Sequence, residues 1–214
     1  MNLLLIGGHT RNIGKTALVV DIIRAFPDAG WTAVKITQYG HGVCSINGEA
    51  CGCAPNQHTF SLDEETSREN KTDTSRFLVA GALCALWLRT KQGYLAEALP
   101  MLRDAVNEAG NVIIESNSLM NFVRPRLYVV VMEPARTDFK ESARLHLPRA
   151  DALVLRSEGK EQADLATGTS SQIAEDCPVF HQPLGTPLPE GFCNFMRERY
   201  FLRNTAAPSG HLSS

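Results

Sequence analysis

The chain has 214 residues, 43% hydrophobic and 21% charged, with a formal net charge of −2, a composition that suits one ordinary globular core and argues against disordered or fibrous classes. So balanced a charge gives no basic field for nucleic acid or an anionic membrane surface, and neither partner is expected. Nowhere do about eighteen apolar residues follow one another, so no membrane-spanning helix is expected.

The opening run, Met1 to Ile6, lacks a basic front and stops at Gly7-Gly8. It reads as a strand rather than an export signal, which makes a cytoplasmic location the expectation. Short apolar β-type runs follow at 31–37, 84–89, 111–115, 126–132, 151–156 and 178–182. Stretches of helical periodicity alternate with them at 15–26, 74–82, 94–109, 139–147, roughly 163–175 and 189–202. This order predicts an α/β fold with a mostly parallel central sheet and helices on both faces. One domain over 1–203 is expected, interrupted by an irregular Cys-rich insertion at about 38–72 and followed by a small, polar tail at 204–214.

The first strand leads into Gly8-His9-Thr10-Arg11-Asn12-Ile13-Gly14-Lys15-Thr16, and an apolar helix begins there. Strand, Gly-bearing turn and helix in that order make a phosphate cradle. Backbone N–H groups and the positive helix end surround phosphate oxygens, Lys15 places a cation on the outer phosphates, and the Thr16 hydroxyl reaches Mg²⁺. The general P-loop pattern has a glycine where this chain has His9. Counting from Gly8 leaves five residues before Gly14, one more than that pattern.

Gly-x5-Gly-Lys-Thr resembles the dethiobiotin synthetases, a branch of the P-loop class that also contains the molybdopterin-guanine dinucleotide biosynthesis protein B family. Further segments resemble the second family. Thr32-Ala33-Val34-Lys35 is similar to its second strand ending in lysine, Asp73-Thr74-Ser75-Arg76 with Ala80-Gly81-Ala82 to its Asp-Ser-x-Arg and Ala-Gly-Ala stretch, and Ile113-Ile114-Glu115 to its strand ending in Val-Glu-Gly. The resemblance covers residues 1 to about 156. It implies a three-layer P-loop nucleoside triphosphatase fold, with Ser116 standing where the family has glycine.

A triphosphate site needs an acid near Mg²⁺, normally at the C-terminal edge of a sheet strand. Glu115 ends an apolar strand and is the first candidate, in a catalytic role beside Lys15. Asp73 is the second, with a helix-terminal role as its alternative. Lys35 faces the phosphates, a substrate acid or solvent, Arg11 adds charge to the triphosphate, and Arg76 pairs with an acid on its own helix. GTP-specific members hold guanine with Asn-Lys-x-Asp after a late strand; Arg156-Ser157-Glu158-Gly159-Lys160 stands there instead. The residues thus leave GTP and ATP open, while the resemblance favours GTP.

His41, Cys44, Cys51, Cys53 and His58 fall close together in the insertion. Thiolate and imidazole are the usual donors to Zn²⁺, so three cysteines with His41 or His58 form a candidate metal set. The alternatives are a substrate-contacting flexible loop of reduced thiols and adventitious disulfide formation after purification. Cys84, Cys177 and Cys193 lie beside apolar residues and read as small hydrophobes.

Three functions are in competition. The resemblance implies a slow Mg²⁺-dependent triphosphatase serving molybdenum-cofactor biosynthesis, with a cofactor-making or molybdoenzyme protein as partner and pairing into a homodimer. The loop spacing alone is similar to an ATP-dependent synthetase, although Glu115-Ser116-Asn117-Ser118 replaces the Glu-Gly-Ala-Gly-Gly of dethiobiotin synthetases. The cysteine loop suggests a nucleotide-gated metallochaperone.

Overall fold

A computed structural model describes residues 1–39, 59–136, 138–157 and 173–202. Strands β1 (Asn2–Gly8), β2 (Trp31–Tyr39), β3 (Phe60–Glu64), β4 (Cys84–Lys91), β5 (Asn111–Glu115), β6 (Leu127–Met132), β7 (Ala152–Ser157) and β8 (Val179–Pro183) form one sheet in the order β3-β4-β2-β5-β1-β6-β7-β8. Every pairing is parallel except β3 with β4. Helices α1 (Lys15–Ala25), α2 (Asp73–Ala80), α3 (Leu95–Ala105), α4 (Glu141–His146) and α5 (Glu190–Met196) complete the described fold, the last continuing into a π-turn over Arg197–Phe201.

Burial on both sheet faces explains why the strands read as continuous apolar runs. Successive residues of β1 serve opposite cores: Leu4 and Ile6 join Leu18, Ile22, Trp31, Phe77 and Phe192 on one face. Leu5 joins Val34, Leu88, Leu95, Leu102 and Tyr128 on the other. Each fully buried side chain of this size stabilises the fold by about 1.5–3 kcal/mol relative to exposure. The π-turn closes the first core, stacking Tyr200 on Trp31 with ring centroids 5.5 Å apart and donating the Tyr200 hydroxyl to the Asn2 carbonyl at 2.9 Å.

The segment 38–72 lacks sustained periodicity, yet it contributes the antiparallel edge strand β3. Phe60 and Leu62 pack onto the second core, while Asp63 reaches Arg89 of β4 at 2.6 Å. Alternation over so few residues gives a weak signal, and cross-strand pairing supplies the rest. The cysteine-loop candidates His41, Cys44, Cys51, Cys53 and His58 lie outside the described residues, as does most of the helix expected at 163–175.

Candidate nucleotide site

In a doubly covered parallel sheet the C-terminal strand ends and the helix starts that follow them collect on one edge. There the chain forms a cleft of about 740 Å³, lined by the loop and first turn from Arg11 to Ala17, by Lys35, Asp73 and Glu115, and by Lys140.

Its floor is the start of α1. Gly14 supplies no side-chain cap, and the first turn contains no acid, so no residue of α1 itself offsets the positive helix end that faces the cleft. The contrast with α2 is direct: Thr72 and Ser75 close a reciprocal capping box there. Gly14 sits at φ 87°, a left-handed conformation, and a Cβ there would meet Arg156 Cδ at 3.1 Å. Both constraints select glycine. Arg156 in turn donates to the Gly14 carbonyl at 3.2 Å and reaches Asp21 at 3.4 Å, bracing the loop from behind.

His9 does not line the cleft. Its backbone N–H donates to the Val131 carbonyl at 3.3 Å, adding one bond beyond the β1–β6 ladder, and its fully buried ring packs on Phe139 with centroids 4.8 Å apart. Neither ring nitrogen makes a well-formed hydrogen bond, and burial outweighs the weak pull of the Val131 and Arg136 carbonyls to hold the imidazole below its ordinary pKa. The Thr10 hydroxyl donates to the Asp138 carboxylate, so His9 and Thr10 anchor the loop while Arg11 to Thr16 present it. Asn12, at φ 56°, takes up part of the longer path.

Asn117 fixes the loop's entry. Its side chain accepts from the Gly8 N–H and donates to the Gly8 carbonyl, both at 2.7 Å. An isolated asparagine after a strand carries no motif signal, and only the fold places it against Gly8.

The charged residues converge through sheet register. Glu115 lies opposite Ile6 of β1 and Lys35 of β2. Its two oxygens take the Thr16 hydroxyl and the Lys35 ammonium, each at 2.7 Å. Lys35 also reaches Asp73 at 2.9 Å and Thr16 Oγ1 at 3.3 Å. Burial alone would lower the Lys35 pKa, but Glu115 and then Asp73 raise it above the usual lysine value. Arg76 stands 3.6 Å from Asp73 on the same helix. Lys15 instead donates to the Thr10 carbonyl at 3.1 Å, and desolvation lowers its pKa.

The chemistry of this donor set can be tested against Mg²⁺. One hydroxyl and two carboxylates already surround a positive charge, the Lys35 ammonium, and hard oxygen donors of this kind suit Mg²⁺. Among the described residues no three His, Cys, Asp or Glu side chains converge as a metal cluster. The thiols of Cys84, Cys177 and Cys193 are free and partly buried; burial, helped by Asp151, pushes Cys177 up to about 11.

A parallel sheet with an uncapped helix following its central strand, and a Gly-Lys-Thr at that helix start, defines the fold of the P-loop nucleoside triphosphatases. Among solved structures the chain is similar to HypB from Helicobacter pylori, crystallised with nickel, at a TM-score of 0.52 and 15% identity over 94% of this chain and 89% of that one. It is also similar to LpxK from Aquifex aeolicus, crystallised with ATP, at 0.48 and 14%, covering 85% of this chain and 53% of that one. The chain matches no protein-family model and no curated protein. No helix among the described residues is long and apolar enough to cross a membrane.

Proposed function

We propose that the chain is a Mg²⁺-dependent nucleoside triphosphatase of low intrinsic turnover. The observation that carries this reading is the open start of α1, where an uncapped helix end, the Lys15 ammonium and the Thr16 hydroxyl share one cleft with Glu115 and Lys35. Lys15 neutralises charge on the outer phosphates, and the N–H groups of the first turn hold phosphate oxygens. Thr16, Glu115 and Asp73 would hold Mg²⁺, which supplies further neutralisation where charge builds on the transferred group. Hydrolysis breaks the bond between the terminal phosphoryl group and its bridging oxygen; water supplies the new oxygen, and a nucleoside diphosphate leaves. Catalysis of this kind is mostly positioning and electrostatics, so a partner that completes the site is expected to accelerate it.

The role proposed for this activity is accessory, in molybdenum-cofactor biosynthesis, with GTP favoured over ATP and an association into homodimers. It rests on the segments at Lys35, Asp73–Arg76 and Glu115 that resemble the molybdopterin-guanine dinucleotide biosynthesis protein B family. A second reading is nucleotide-gated metal delivery. The His and Cys residues of the insertion favour it, and nickel accompanies HypB in the structure this fold resembles.

The deciding experiment is calorimetric titration of reduced, metal-quantified protein with non-hydrolysable GTP and ATP analogues, with and without Mg²⁺, beside Lys15→Ala. Micromolar or tighter binding of one analogue, weakened about a hundredfold in Lys15→Ala with the fold intact, is expected. Equal binding by the variant would overturn the nucleotide reading. Metal that copurifies and leaves on nucleotide addition would favour delivery over the cofactor-assembly role.

A further inference from the structure

The short segment after β6 belongs to the phosphate loop more closely than its place in the chain suggests. Three successive residues fasten it there. Asp138 accepts from the Thr10 hydroxyl, Phe139 packs on the His9 ring, and the Lys140 N–H donates to the His9 carbonyl at 2.9 Å. The side chain of Lys140 then enters the cleft wall beside Arg11 and Lys15.

Charge in this wall is unbalanced. Lys35 is matched by Glu115 and Asp73, and Asp138 is engaged by Thr10. Lys140, Lys15 and Arg11 make no ion pair among the described residues. The largest charge effects on Lys140 come from Lys15, Arg11 and Lys35, which repel, and from Glu115, which attracts. A half-buried ammonium held among like charges, without a counter-ion of its own among the described residues, is a poor arrangement for stability and a good one for a polyanion.

We propose that Lys140 is a polyphosphate-binding residue of the nucleotide site, presented to the ligand by the clasp that Thr10 and His9 make with Asp138 and Phe139. This rests on the nucleotide reading and adds to it a cation from the opposite side of the loop. The Lys15 helix and the Lys140 segment then grip the phosphate chain between them, and ligand charge decides affinity. Burial, reinforced by Lys15 and Arg11, brings the free Lys140 ammonium down to about 8. A bound polyanion restores its charge, so binding takes up a proton when the pH stands at or above that value.

The test is titration with the non-hydrolysable triphosphate and with the corresponding diphosphate at pH 7.0 and pH 8.5, in buffers of differing ionisation enthalpy. Wild type, Lys140→Met and Lys140→Arg are compared. Wild type should bind more weakly at the higher pH and take up a fraction of a proton there. Lys140→Met should lose about tenfold to a hundredfold in triphosphate affinity at pH 7.0, less for the diphosphate, and should take up fewer protons. Lys140→Arg should keep affinity within about threefold, lose that share of uptake and bind with a flatter pH profile. A methionine variant with wild-type affinity and wild-type proton uptake would overturn the role of Lys140 while leaving the nucleotide reading intact. Absence of nucleotide binding by wild type would overturn both, and Lys15→Ala separates the cases.

Discussion

The Thr16 hydroxyl and the Glu115 carboxylate meet at 2.7 Å across a separation of 99 residues. The other oxygen of the same carboxylate holds Lys35 at the same distance. One buried acid therefore orients both the hydroxyl at the helix start and the cation at the end of β2.

Glu115→Gln removes the charge but keeps the shape. Lys35 retains Asp73, so the variant should fold, with a stability loss on the order of 1–3 kcal/mol, below what stranding a buried charge completely would cost. Mg²⁺-dependent phosphate release should fall by about a hundredfold, while affinity for the triphosphate analogue in the absence of Mg²⁺ changes by less than about fivefold. Steady-state turnover beside calorimetry separates the two effects. Unchanged turnover would reduce Glu115 to a structural partner of Lys35.

The strands were legible because sheet burial on both faces writes itself as Val-, Ile- and Leu-rich runs such as Leu127 to Met132. The turn that opens α1 was legible because Gly14, Lys15 and Thr16 are adjacent in sequence. Lys35, Asp73 and Glu115 could be nominated one at a time, but their meeting depends on register, which a single strand does not contain. Asn117, Asp138, Phe139 and Lys140 carry no local pattern at all. Their roles come from the crossing of the β5 and β6 ends over the loop. His9 stands at a glycine position of the general pattern because its ring packs against Phe139 and only its backbone belongs to the loop path.

Asn117 tests how far loop entry governs binding. Asn117→Ala leaves the Gly8 N–H and carbonyl without their side-chain partner, a loss of about 1–3 kcal/mol by urea unfolding. Asn117→Asp keeps the acceptor but sets a carboxylate oxygen against the Gly8 carbonyl, so it should be no more stable than alanine. Triphosphate affinity should drop about tenfold in the alanine variant because the cradle is no longer fixed at its first residue. An alanine variant of wild-type stability and affinity would show that the β1–β6 ladder alone sets the loop.

Acid should destabilise the fold through His9. Burial holds its pKa below the ordinary 6.5, so the neutral ring's contribution is fully present above about pH 6.5 and is lost as pH falls through the depressed folded value. His146 is lowered in the same direction, by burial and then by Arg149, and adds to the slope. Urea unfolding between pH 8 and pH 5 should therefore show stability falling below about 6.5. His9→Phe, which keeps an aromatic ring against Phe139 without a titrating group, should reduce that slope by up to one proton. An unchanged slope would place the acid sensitivity at His146 or elsewhere.

Lys140 shares the sign of His9, and with it comes a conflict between stability and binding. Its pKa is brought down from 10.5 to about 8, chiefly by burial. The charged form is thus disfavoured in the fold relative to the unfolded chain. The resulting penalty is complete below about pH 8 and is relieved as pH rises from there toward 10.5. Lys140→Met removes it, and partial exposure of the side chain keeps the gain on the order of 1–3 kcal/mol at pH 7. The methionine variant should therefore unfold at higher urea than wild type at pH 7, and the two curves should converge by about pH 10. Addition of saturating triphosphate analogue should erode that advantage at pH 7 by about 1.4–2.8 kcal/mol, the free energy of a tenfold to hundredfold affinity difference, because only wild type then gains a counter-ion for the lysine. A methionine variant less stable than wild type without ligand would mean that Lys140 already has its partner in the free protein. A stability advantage of the same size with and without ligand would mean that the lysine is strained to no purpose in this site.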